Sequence, residues 1–132
     1  MQALEKYNPQ FELLGRIFLA AIFLRGGIFK ILGYAGFGGY MESFGIPTLL
    51  LPLVILTELG CGLALLVGLK TRLAAFLLAG FTLLTIILIH NPLNDPGQWN
   101  DAMKNLAIAG GMLILMTRGA GPLSMEASAE GD

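Results

Sequence analysis

Four long apolar blocks dominate the chain and restrict what it can fold into. They cover roughly residues 13–33, 48–68, 72–90 and 102–117. A helix needs about 20 apolar residues to cross the hydrocarbon core of a bilayer, and the first three blocks meet that length. The fourth block meets it if its helix begins near Pro96, where Asp95 can act as N-cap and Gln98 completes a capping box. The predicted spans are therefore 13–33, 48–68, 72–90 and 96–117.

The composition supports a membrane protein over a soluble helical bundle. Of the 132 residues, 55% are hydrophobic and only 13% are charged, which is too little polar surface for a soluble domain of this size. We predict one domain, residues 1–132, that is all-α and forms a four-transmembrane-helix bundle in the lipid bilayer. Residues 125–132, small and acidic, are predicted to be a disordered tail.

The distribution of basic residues predicts the orientation. The two predicted external loops, 34–47 and 91–101, contain no Lys or Arg. Basic residues lie instead beside the termini and the turn between spans two and three, namely at Lys6, Arg16, Lys70, Arg72 and Arg118. The positive-inside rule then places both termini in the cytoplasm. Arg16 and Arg72 form a basic layer at this face, where snorkelling to lipid phosphates explains them.

Ionisable residues also lie inside the predicted spans, where a charge is expensive. At 1.5 Å per residue, Arg25 lies roughly 12 Å and Glu58 roughly 15 Å from the external face. Spans one and two are antiparallel neighbours along the chain, so this shared depth predicts a buried ion pair between Arg25 and Glu58. Glu58 cannot snorkel from such a depth, which favours a functional role over a purely structural one.

A second polar layer is predicted nearer the external face. Together with Glu58, Lys30, His90, Lys104 and Asn105 would converge on the outer half of the bundle and form a polar core or ligand-binding site. The alternatives are that Lys30 and Lys104 snorkel to headgroups and that His90 caps its helix. The aromatic residues of loop 34–47 are interpreted as a headgroup belt rather than as ligand contacts.

Several classes of site and partner are excluded by what the chain contains. One histidine and one cysteine cannot form a standard zinc site or a haem ligand pair, so no metal and no intrinsic cofactor are predicted. No basic tract suggests nucleic acid. Gly60, Ala64 and Gly68 recur at four-residue spacing, which predicts a close helix contact within the bundle or in a homo-oligomer.

An ordered set of segments resembles the DoxX family of small bacterial membrane proteins. The segments are GRIFLAAIFLRGGIFKILG (15–33), GIP (45–47), TELGCGLALLVGLKTRLAA (57–75), His90, KNLAIAGGMLIL (104–115) and GAGPLS (119–124). The resemblance implies a four-helix fold in the bacterial inner membrane. It also implies that Lys30, Glu58, Arg72, His90 and Asn105 occupy recurring polar positions, whereas Arg25 departs from the family pattern.

Three functions remain open from the sequence. Because the resemblance implies association with quinol oxidation, the first is a redox-associated protein that binds a quinone or a similar small molecule. Lys, His or Asn would hydrogen-bond its carbonyls, and Glu58 would relay a proton. The second is an accessory subunit of a larger respiratory complex. The third is a proton-coupled or small-solute transporter, although no interrupted helices of the usual kind support it.

Overall fold

The computed structural model describes residues 1–131, and every regular element in that range is a helix. Four of the helices are long and three are short. Short 3-10 turns, Thr48–Leu50 and Pro96–Gln98, lead directly into the fourth and the sixth helix. The α-helices are α1 (Gln2–Glu5), α2 (Asn8–Leu32), α3 (Tyr34–Ser43), α4 (Leu51–Val67), α5 (Thr71–Leu88), α6 (Trp99–Arg118) and α7 (Met125–Gly131).

Two segments are long and apolar enough to cross a membrane, Thr48–Val67 and Thr71–Leu88. Helices α2 and α3 are also long and apolar enough when they are taken together, although they are bent by 102° at their junction. If this pair forms one span, the number of candidate spans rises to three. Helix α6 is 20 residues long, but its first two turns carry Asp101, Lys104 and Asn105. With these polar residues α6 is not among the candidate spans, so the predicted fourth span, 96–117, is not confirmed.

The long helices differ from the predicted spans mainly at their ends. Helix α2 begins at Asn8, with Pro9 in its first turn, so it extends five residues before the apolar block. It ends at Leu32, and α3 then leaves at the bend near Gly33. The predicted external loop 34–47 thus contains a separate ten-residue helix, α3.

Close approach between helices depends on glycines of α2 and α4. A Cβ added at Gly62 would lie 2.9 Å from Leu24 Cδ2, and one at Gly27 would lie 2.6 Å from Leu59 Cγ. Helix α5 packs in turn against α4 and α6. The predicted ridge of Gly60, Ala64 and Gly68 is not one continuous contact face: the space around Gly60 is open, whereas Ala64 packs against the core and a Cβ at Gly68 would collide with Ser124 and Arg16. The buried core comprises Ala20, Phe23, Leu65, Ala74, Ala75, Leu78, Ala79 and Met112.

Arg16 is buried, so its predicted snorkelling to lipid phosphates is wrong. Only 1% of the residue is exposed. Its Nη1 donates to the carbonyl oxygen of Leu65 at 2.8 Å, and its Nη2 donates to that of Leu123. Arg16 therefore binds the end of α4 to the segment that precedes α7. Arg72 is exposed as expected and lies along the backbone at Gly119.

The C-terminal segment is helical where the sequence predicted disorder. Helix α7 covers Met125–Gly131, and Asp132 lies outside the described residues. The Glu126 carboxylate accepts a hydrogen bond from the Thr71 amide at 2.6 Å, and the Glu126 amide donates to the Gly68 carbonyl oxygen at 3.0 Å. These bonds satisfy free backbone groups at the turn between α4 and α5. They attach the polar C-terminal segment to the turn between α4 and α5, a contact that its composition does not predict.

Candidate functional site

A cavity of about 630 Å³ lies among α2, α4, α5 and α6, and α3 contributes to its wall. Four of the residues predicted for the polar core line it: Lys30, Glu58, His90 and Asn105. Most of the other lining residues are apolar or aromatic: Ile22, Phe23, Phe37, Tyr40, Met41, Ile46, Leu50, Leu53, Val54, Phe81, Leu84, Leu88, Ile89 and Ile108.

Lys30 and Glu58 form an ion pair at the cavity wall. Lys30 Nζ lies 2.7 Å from Glu58 Oε1, and the two side chains are 22% and 5% exposed. Lys30 Nζ also lies 5.2 Å from the centroid of the Phe37 ring, within cation–π distance. A Cβ at Gly26 would collide with Glu58 Oε2. The absence of a side chain at Gly26 therefore lets the carboxylate lie directly against α2, next to Lys30.

The predicted pair between Arg25 and Glu58 is not formed among the residues that the structure describes. Arg25 is exposed, and its guanidinium carbon lies 4.7 Å from the centroid of the Phe29 ring. Consecutive residues of a helix point in directions about 100° apart. Helix α2 packs on α4 through Gly26 and Gly27, and this rotation turns Arg25 away from Glu58.

A second polar group surrounds His90 at the junction of α5 and α6. His90 Nδ1 lies 2.8 Å from Gln98 Oε1 and 3.8 Å from Asp101 Oδ2. Lys104 Nζ lies 3.4 Å from Asp101 Oδ1, but the Lys104 side chain is 73% exposed and does not line the cavity. The structure thus places Lys104 outside the predicted polar core, because it lies on the outer face of α6.

Asn105 joins the cavity through α5. Its Nδ2 donates to Thr85 Oγ1 at 3.4 Å, and Thr85 Oγ1 donates to the Thr82 carbonyl oxygen at 2.7 Å. Thr82 Oγ1 donates to the Leu78 carbonyl oxygen at 2.7 Å. Asn105 therefore keeps one amide hydrogen beyond the bond to Thr85.

Comparison with known proteins establishes the family. The DoxX family model matches residues 11–91, which is more than half of the chain. The chain belongs to the DoxX family. It is 46% identical to the inner membrane protein YqjF of Escherichia coli (strain K12), over 86% of this chain and 88% of the relative. It is 31% identical to the inner membrane protein YphA of the same organism, over 90% of each chain. No solved structure matches it significantly.

These relatives and the apolar helices identify this DoxX protein as a multi-pass protein of the bacterial inner membrane. The residues from 11 to 91 that match the family contain Lys30, Glu58 and His90 but not Asn105. The described residues contain no cluster of three or more His, Cys, Asp or Glu side chains that could hold a metal ion.

Sequence reasoning missed part of this DoxX protein's cavity wall. From the sequence, Gln98 is only a helix-start residue, yet it supports the wall from behind as the nearest polar partner of His90. Phe37 and Tyr40 were interpreted as part of a headgroup belt, but both line the cavity. Their spacing of three residues in α3 does place them on one face, and that was the available signal. Which way that face points depends on the bend between α2 and α3.

Proposed function

We propose that this DoxX protein binds a quinone or a similar small aromatic molecule in the cavity. The observation that carries the proposal is an apolar cavity with the Lys30–Glu58 ion pair at its wall. Its volume of about 630 Å³ falls in the range of about 300–1,000 Å³ that is usual for small-molecule sites. Such sites combine apolar walls with a few polar groups that set orientation.

The polar groups suit the carbonyl and hydroxyl oxygens of a quinone and its reduced form. Lys30 carries two further ammonium hydrogens beyond its contact with Glu58, and Asn105 retains one amide hydrogen. In the tautomer of His90 that carries its hydrogen on Nδ1, this nitrogen donates to Gln98 Oε1. Nε2 of the neutral ring is then an acceptor for a hydroxyl group. Phe37 and Phe81 supply aromatic surface against which a ring can pack.

Glu58 is the group proposed to hold and release a proton. Its carboxylate is nearly buried, and its ionised form is balanced by the Lys30 ammonium. A carboxylate that loses or gains a nearby positive charge changes its proton affinity, so a ligand that competes for Lys30 would alter the protonation of Glu58. The electrons of any redox reaction would come from a partner protein or from the ligand itself.

The proposal includes a four-span bundle with both termini in the cytoplasm and the cavity in the outer half of the membrane. Three observations support this topology. The chain forms four long helices, basic residues lie near its termini, and the segments 34–47 and 91–101 contain no Lys or Arg. The contact between Arg16 of α2 and the Leu123 carbonyl oxygen also supports terminal regions that lie on the same side of the membrane.

The test is thermal unfolding of the purified protein in mild detergent, with and without short-chain ubiquinone and menaquinone analogues. A ligand present at 100 times its Kd stabilises the protein by about 2.7 kcal/mol, which gives a measurable rise in Tm. We expect Glu58→Gln and Asn105→Leu to reduce the rise and Lys104→Gln, outside the cavity, to retain it. An equal rise in all four proteins, or none in the wild type, would overturn the proposal.

The two alternative functions are distinguished by the same preparation. Mass spectrometry of co-eluting proteins would detect a stoichiometric oxidase or dehydrogenase, which would favour an accessory subunit of a respiratory complex. Reconstitution into proteoliposomes would detect proton or solute flux, which would favour a transporter. A protein that elutes alone with a bound quinone would support the proposed site.

A further inference from the structure

A second concave region lies along the outer part of α2, at its junction with α3, and is separate from most of the cavity. This groove has a volume of about 700 Å³, and Gly26 and Gly33 leave space between the side chains that line it, those of Arg25, Phe29, Lys30, Leu32 and Phe37. Both ionisable groups in its lining are cations, and the lining contains no acidic side chain. Lys30 and Phe37 are shared with the cavity wall.

Arg25 has no carboxylate within ion-pair distance among residues 1–129, whose side chains the structure describes. It is exposed on the surface of a helix that belongs to a membrane protein. A cation in that position is costly unless it meets an anion, a phosphate or water. The contact with the Phe29 ring offsets part of the cost, but a cation–π contact does not neutralise the charge.

The position of the guanidinium brings it within reach of lipid headgroups. Arg25 lies seven residues before the end of α2, which corresponds to roughly 10 Å of helix. Its guanidinium lies over Phe29, one turn further toward that end. The α2–α3 bend of 102° follows at Gly33 and leaves a corner at this end of α2. The groove that Arg25 lines continues through Leu32 and Gly33 to Phe37, so the guanidinium borders a space that opens toward the α3 end, the direction in which it would snorkel to headgroups.

The charge of the groove matches an anionic lipid. Glu58 balances Lys30, so Arg25 leaves the groove with one net positive charge. A phosphodiester carries one negative charge, and a guanidinium can donate two parallel hydrogen bonds to it. A zwitterionic lipid would bring a second cation to the same corner. Phe29 and Phe37 provide apolar surface for the glycerol and the first carbons of the acyl chains.

We propose that this groove binds the phosphate of an anionic phospholipid in the leaflet on the α3 side, with Arg25 as the main ligand. The site does not depend on a quinone in the cavity. Because Lys30 borders both the groove and the cavity, a bound lipid phosphate would lie next to the ion pair that forms the cavity wall.

The experiment is native mass spectrometry of the full chain in a neutral detergent, titrated with phosphatidylglycerol or with phosphatidylcholine of the same acyl chains. We expect the wild type to retain one phosphatidylglycerol more strongly than phosphatidylcholine. Arg25→Gln should lower the affinity for phosphatidylglycerol about tenfold, the effect of losing a charge-assisted bidentate contact. Arg25→Lys should retain part of it, because the charge remains and the fork is lost. Lys104→Gln is the matched control and should bind as the wild type does.

Three results would overturn the proposal. The first is equal affinity of the wild type and Arg25→Gln for phosphatidylglycerol while thermal unfolding confirms that both are folded. The second is equal affinity of the wild type for the two lipids, which would indicate plain snorkelling to any phosphate. The third is a protein that co-purifies from native membranes with the wild type but not with Arg25→Gln, which would assign Arg25 to an acidic partner protein.

Discussion

Lys30 pairs with Glu58 across the contact between α2 and α4, with 2.7 Å between Nζ and Oε1. The two residues lie in the first two long helices, and the pair is possible because Gly26 brings the α2 backbone against the Glu58 carboxylate. The contact joins the wall of the cavity to the groove beside Arg25. Several variants test how this arrangement contributes to stability.

Removing one partner of the ion pair should destabilise the protein more than removing both. Lys30→Met leaves the nearly buried Glu58 without its cation, so we expect a loss of about 3 kcal/mol in the free energy of unfolding. The double variant Lys30→Met/Glu58→Leu should lie within about 1 kcal/mol of the wild type, because no unpaired charge remains. Unfolding by SDS titration from mild detergent measures both. Additive losses in the double variant would show that the two side chains act independently.

Gly26→Ala tests the close approach that positions the carboxylate. The added methyl group would occupy the place of Glu58 Oε2, so we expect a loss of about 1–3 kcal/mol from overpacking. Gly60→Ala on α4 is the matched control, since no atom lies within 4 Å of its added Cβ. It should be neutral or stabilising by up to about 1 kcal/mol, as expected for glycine replaced by alanine in a helix. Equal effects at both positions would rule out a special contact at Gly26.

Arg16 should be one of the most sensitive basic residues of the described chain. Arg16→Gln removes bonds to the carbonyl oxygens of Leu65 and Leu123 and leaves them buried without their donor. We expect a loss of about 2–4 kcal/mol, measured by the same SDS titration. Arg118→Gln, at an exposed position, should change stability by less than about 0.5 kcal/mol. A loss at Arg118 as large as that at Arg16 would point to a general charge effect.

Glu126 should stabilise the N-terminus of α5 although it lies 55 residues further along the chain. Its carboxylate accepts from the Thr71 amide as an N-cap side chain would, and Glu126→Ala should cost about 0.5–2 kcal/mol. Amide hydrogen exchange should then rise at the first turn of α5, from Thr71 onward. Glu5→Ala, at the exposed N-terminal helix, is the control and should leave exchange in α5 unchanged. Unaltered exchange in Glu126→Ala would mean that the cap has no effect in solution.

The depth of each polar residue along its helix could be predicted, but the direction in which its side chain points could not. Counting residues along the spans assigned Lys30, Glu58, His90 and Asn105 to the same part of the protein, and the structure brings them to one cavity. The same count also selected Arg25 as the partner of Glu58. Five residues separate Arg25 from Lys30, and these two positions differ by about 140° around the helix axis. Depth alone does not distinguish them when both side chains are long.

The contacts that join distant parts of the chain could not be predicted from the sequence either. From the sequence, Arg16 is a snorkelling cation and the acidic tail a disordered segment, because the groups that they bind lie far away along the chain. In the structure, Arg16 binds carbonyl oxygens of Leu65 and Leu123, and Glu126 of the tail binds the amide of Thr71. Free backbone groups at helix ends have no sequence signature of their own.

By itself, the sequence determined that this chain enters the membrane, because the free energy of placing long apolar helices in lipid depends on composition and length. It also carried the family resemblance. The tertiary structure decided which cation balances Glu58, which way Arg25 and the aromatic face of α3 point, and what the two ends of the chain bind. Those outcomes depend on the rotation of each helix about its axis, and that rotation is set by packing at contacts such as Gly26, Gly27 and Gly62.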